Sequence, residues 1–223
     1  MQGGGIYSTG PLKIYKSHID HNTAGRGGGV LSTDSTVAIK GGSISDNQAG
    51  TGGGLFLSSS IGTVTGTRIT GNTATGSTGG VRAGVGSQLT MRHVSLADNT
   101  ARSLGAGLSV SGSEEGESTA VVEDSVIKNN MRASSGGGIF NGGQTVLRDT
   151  KVMGNQASRG GGIFNSTTAT LDLFSTKIIK NVAIADGGGI FNAGGTVNLN
   201  TATGTNVIKN RPKNCVDVPG CPG

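Results

Sequence analysis

The chain has no tryptophan, two tyrosines and five phenylalanines in 223 residues. That is too few rings for a base-stacking groove, and the basic residues form no run, so no nucleic-acid partner is expected. No stretch is apolar enough over sufficient length to cross a membrane, so no membrane span is expected. Histidine is nearly absent: His18 and His21 read as surface residues, and with only His93 besides them no zinc site of usual spacing can be assembled. Cysteine occurs twice, at Cys215 and Cys221. Glycine is the residue in excess, 43 of 223, and with 33% hydrophobic residues the composition alone would suggest disordered chain.

The order of the residues says otherwise. Glycine runs begin at Gly3, Gly27, Gly52, Gly136, Gly160 and Gly187, with degraded versions at Gly79 and Gly105, and each is followed by an aliphatic residue. A second signature, an aliphatic residue three before an asparagine, recurs at Asn22, Asn47, Asn72, Asn99, Asn130, Asn155, Asn181 and Asn210. The asparagines are 25 to 31 residues apart, a period that means a solenoid with one repeat per rung.

Three aliphatic columns accompany the period. Three before each asparagine stand Ile19, Ile44, Ile69, Leu96, Ile127, Val152, Ile178 and Val207; eight before it, the column runs from Ile14 to Leu173 and then Ala202; a third follows the glycines, from Ile6 to Ile190. Side chains alternate between the faces of a strand, so three columns predict three short strands per coil, each turning one face inward. The predicted fold is all-β: a single right-handed parallel β-helix of about eight coils, on the order of 40 Å long at the usual strand spacing. A leucine-rich repeat would put leucine two after the asparagine, where alanine is usual (Ala24, Ala49, Ala74, Ala101, Ala157, Ala183). A calcium-binding nonapeptide roll would need aspartate after its glycines, and collagen would need glycine strictly every third residue. Asparagines stacked at one corner are expected to bond amide to amide, and a second internal ladder is expected at Asn141, Asn165 and Asn192.

The pairing of Val152-Met-Gly-Asn155 with Gly160-Gly-Gly-Ile163 resembles the repeats of chlamydial polymorphic outer membrane proteins and of the wider group of secreted bacterial right-handed β-helix proteins of pectate-lyase-like fold. The resemblance spans nearly the whole chain, with Ile, Leu or Val in place of the family's phenylalanine and GGG in place of its GGA. It implies export, a secreted or cell-surface location and often adhesion.

Met1-Gln2 leads straight into a glycine corner without signal peptide or cap, which predicts a helix over residues 1–210 truncated at its N-terminal end and belonging to a longer protein. Pro212, Pro219 and Pro222 stop the repeat and set off residues 211–223 as a C-terminal cap. Cys215 and Cys221 either close that cap as a disulfide or remain a pair of reduced thiols or half a metal site. The resemblance to exported proteins favours the disulfide.

Candidate chemistry falls on three consecutive rungs carrying Arg92-His93, Glu123-Asp124 and Arg148-Asp149. Stacked strands would hold the two aspartates about 5 Å apart, near the separation of a retaining glycosidase pair, with arginines alongside to clamp a uronate. The competing reading is a cross-strand charge ladder beside a corner column that tolerates left-handed backbone. Phe140, Phe164 and Phe191 follow the inward aliphatic residue and are expected to point outward as a stacked platform for a glycan or protein partner. Glu114, Glu115 and Glu117 lie in the longest rung, the one place where calcium is an option; no other cofactor is implied.

Three functions compete. The first is a noncatalytic binding or adhesion module for a glycan or cell-surface protein. The second is a polysaccharide lyase, epimerase or glycoside hydrolase using the six charged residues. The third, an ice-binding rod, needs flat outward ranks of threonine, which the mixed column Tyr15, Lys40, Thr65, Arg92, Glu123, Arg148, Phe174 and Thr203 does not supply.

Overall fold

The computed structural model describes residues 2–112 and 116–222. Its chain winds through eight coils, and successive coils pair in parallel throughout. The sixth coil reads Ile139–Asn141, Gln144–Arg148, Lys151–Met153 and Gln156–Arg159. First strands stack into a nine-stranded sheet, and second and third strands into eight-stranded sheets. These are the three sheets that the aliphatic columns predict. The sheets enclose one core in which Leu55, Ile69, Ile127, Leu147 and Ile163 are fully buried, each such side chain contributing about 1.5–3 kcal/mol.

A fourth strand, two to five residues long, follows each of the first seven ladder asparagines. These strands form a four-stranded and a three-stranded sheet, organised by the alanines just past the asparagine, of which Ala74, Ala101, Ala133 and Ala157 are buried together. In the fifth coil the alanine comes one residue late. The added residue, Arg132, takes φ +74°, and the fourth sheet breaks there, bridged only at Thr100 to Met131 and Leu104 to Ser135. The last coil also departs from simple counting. Leu199, not Ala202, pairs with Leu173, because Thr201–Thr203 loop out as a short, exposed 3-10 turn.

The corner asparagines form one row. Asn130 donates through Nδ2 to Asn155 Oδ1 at 2.9 Å and to the Leu96 carbonyl at 3.1 Å. Its Oδ1 accepts both Nδ2 and the backbone N–H of Asn99 at 3.0 Å. The same pattern runs from Asn22 to Asn210. Every amide in the interior of the row is buried and has its donors and acceptor occupied, the condition under which a buried polar group ceases to be a liability. The second ladder also forms: Asn141 donates to Asn165 at 2.8 Å, and Asn165 to Asn192 at 3.0 Å.

Two glycines of each triplet have distinct tasks. The third lies against the ladder: a Cβ on Gly138 would sit 2.6 Å from the Gly162 carbonyl and 3.0 Å from Asn155 Nδ2. The first turns the chain at positive φ into a concave corner, so that a Cβ on Gly52 would meet the Phe56 Cβ at 2.8 Å.

Beyond the eighth coil, Cys215–Val216 pairs with the first sheet and begins another turn. Cys215 and Cys221 are disulfide-bonded, and together with Val218 they pack against the end of the core.

Replacing Asn130 by alanine strands two buried donors of Asn99, and we expect a loss of about 2–5 kcal/mol. Urea denaturation would show it as a lowered midpoint. Gln48→Ala, an exposed change beside the ladder at ordinary backbone geometry, should leave the midpoint within about 0.5 kcal/mol of the parent. An unchanged midpoint for Asn130→Ala would mean that the ladder contributes no stability.

Reducing the short Cys215–Cys221 loop should cost at most about 2 kcal/mol. Hydrogen exchange after reduction should speed up in the last coil and leave the coils around Ile127 and Leu147 protected.

Candidate functional site

The six charged residues lie on an exposed corner between the second and third strands of coils four to six. Arg92, Glu123 and Arg148 end the second strands and are in register. Glu123 binds Arg92 Nε at 2.8 Å and Arg148 Nε at 3.5 Å, and the Arg148 guanidinium also lies 4.7 Å from the Phe174 ring. His93, Asp124 and Asp149 each take the next position at φ +46 to +53°. Their backbone N–H groups continue the ladder to the next coil, and their side chains are exposed. The fold therefore brings all six together, with the arginines committed to Glu123 and the two aspartates on the outside of a turn.

The phenylalanine column differs from the expected platform. Phe140, Phe164 and Phe191 are in register, but they are half-buried, and the rings lie face to face at 5.5 and 5.4 Å with interplanar angles of 9° and 8°. Stacked in this way, they spend their faces on each other and turn edges outward, whereas a sugar ring docks on a face. The half-burial comes from the concave glycine corner, which folds the fourth strand back toward this column; Leu31, Phe56 and Ser109 in the same column are almost fully buried.

Arginines from the corner cover the rings. Arg26 lies 4.9 Å from Phe56, and Arg159, two coils before its ring in the same manner, 5.8 Å from Phe191. Arg82 flanks Phe56 at 5.5 Å on its own column. Burial, and secondarily the Arg26 charge, lowers the Arg82 guanidinium from its ordinary value. Periodicity alone gave no sign of this lining, because the arginines recur at only some coils.

Elsewhere, His21 is held by Asp20 at 2.8 Å, and that hydrogen bond raises its pKa. His18 bonds Ser43 at 2.7 Å. Of the acidic loop, Glu117 accepts a bond from Gln144 at 2.7 Å; Glu114 and Glu115 lie outside the described residues. Among the described residues no group of three His, Cys, Asp or Glu side chains is placed to hold a metal, and no helix is long and apolar enough to cross a membrane.

Sequence reasoning missed a concave strip on the fourth face, where hollows are lined by Arg102, Arg132, Lys180, Lys209 and Arg211. The signal for it was present in the alanine column, which marks a fourth strand whose outer neighbours share a surface.

No curated protein and no solved structure matches the chain. A family model described as a right-handed β-helix region matches residues 1–157. By this match, and in keeping with its parallel coils, three continuous sheets and stacked asparagines, the chain belongs to the right-handed β-helix family.

Proposed function

We propose that the protein is a noncatalytic binding module, exported to the cell surface or beyond, that holds a glycan or protein partner against the side of its rod. The observation that carries this reading is the engagement of the charged corner with itself. A uronate-clamping site needs arginines free to reach the substrate, and here Arg92 and Arg148 both close on Glu123. An acid and base need a cleft that excludes water, whereas Asp124 and Asp149 stand exposed at a turn. The Cys215–Cys221 bond suits an oxidising compartment and supports export.

The rival reading, a polysaccharide-active enzyme using these same six residues, makes a separable prediction. The protein is to be incubated with a panel of neutral and acidic polysaccharides and candidate surface proteins, with retention and product release measured together. Retention without new reducing ends or unsaturated products is expected. The double variant Asp124→Asn, Asp149→Asn should stay folded, because asparagine suits the same left-handed corner, and its retention should match the parent. Product release that disappears in the double variant would establish the enzyme and overturn the binding reading.

A further inference from the structure

The fourth face carries a trough that the charged corner and the phenylalanine column do not touch. Ala74 and Ala101 line its first hollow, and Ala133 and Ala157 its second. Three hollows follow one another along it. The first, about 290 Å³, includes Thr73, Arg102 and Arg132; the second, about 310 Å³, includes Arg132, Met131 and Ile184; the third, about 500 Å³, includes Lys180, Lys209 and Arg211. Arg132 is shared by the first two. Ile184 of the second and Val182 of the third sit on the single strand Val182–Asp186. The hollows thus form one track from the third coil to the eighth, about 24 Å at the usual strand spacing.

Two properties of the track define its occupant. The first is charge: Arg102, Arg132, Lys180, Lys209 and Arg211 line it, no carboxylate does, and none of the five forms an ion pair among the described residues. This belongs to a wider asymmetry. Residues 126–223 carry ten Lys and Arg against four Asp, while residues 1–125 carry eight against nine acids. The second is exposed aliphatic surface, with Met131 38%, Val182 41% and Ile184 75% accessible. No aromatic ring lines any of the three hollows, so bases and sugars have no face to stack on. The fourth strands within each sheet are already paired with their neighbours, so their backbone is not free to add a strand.

We infer that this trough docks an extended acidic segment of a protein partner, carrying aliphatic side chains between its carboxylates. An extended peptide of about seven residues spans the track. Lying edge-on, such a segment would turn one face, its carboxylates, to the Lys and Arg side chains and the other, its aliphatic groups, to Met131, Val182 and Ile184. The inference rests on the binding reading above and narrows it to one face and one partner chemistry.

The probe is a fluorescein-labelled decapeptide of alternating glutamate and leucine, followed by anisotropy against the whole chain at low salt, with a lysine–leucine peptide and a sulfated polysaccharide alongside. Saturable binding of the acidic peptide is expected, weakened about tenfold by Arg102→Glu with Arg211→Glu and again by raising salt to about 0.3 M, where surface charges are well screened. Ile184→Ser should weaken it about threefold or more, and Lys13→Glu, on a different face, should leave it unchanged. All four positions are exposed, and circular dichroism is to check the folding of each variant. Absence of peptide binding, equal binding of the lysine–leucine peptide, indifference to the double charge reversal, or tighter and reversal-sensitive binding of the polysaccharide would each overturn the inference. If the peptide fails while another ligand is retained by both parent and reversal variant, the trough falls and the binding reading stands. Product release from a polysaccharide would remove that reading instead.

Discussion

A buried amide row lying on a column of glycine carries the whole rod. Each interior ladder asparagine uses its donors and its acceptor within the row, as Asn130 does with Asn99, Asn155 and Leu96. The next column of the coil presses directly on it. At Gly138 a methyl group would collide with both the adjoining backbone and Asn155 Nδ2. Asparagine is of use here only because glycine lets the neighbouring backbone come this close, and the glycine is required only because the amide occupies the corner. The two must therefore recur together, and their spacing sets the register of every sheet.

With register set from inside, the outer positions are left largely free. The left-handed corner after the second strand accepts Lys16, Gly41, His93, Asp124 and Ser175, residues that share a tolerance for the backbone conformation and little else. Charge on the rod is thus not dictated by the fold. At the corner near Glu123 opposite charges fall on neighbouring coils and neutralise one another. On the fourth face, five cations share a hollow surface with no carboxylate lining it. The contrast between a closed ladder and an open basic trough is what separates structural charge from charge available to a partner.

The concave glycine corner shows how backbone geometry redirects side chains. Alternation places Phe140, Phe164 and Phe191 away from the core, yet the fold at the first glycine of the triplet brings the fourth strand back over the same column. Rings that would stand free on a flat sheet are instead half-covered and stacked on each other. They strengthen the wall of the rod and present edges to solvent.

The core columns, the asparagine row and the parallel three-sheet coil were legible in the sequence, because each depends on a residue's own coil and on a strict period. Counting failed where the period did: Ala202 left its column to a looped turn, and the late alanine of the fifth coil broke the fourth sheet at Arg132. For the candidate sites, adjacency could be read and availability could not. Register alone predicts that Arg92, Glu123 and Arg148 are neighbours; only the folded side chains decide that both arginines turn to one glutamate. Likewise, Arg102, Arg132, Lys180 and Arg211 are scattered over more than a hundred residues of chain, and only the stacking of coils places them along one trough. A repeat encodes what each coil does to the next, whereas a surface site depends on which side chains several coils bring together, and that is settled in three dimensions.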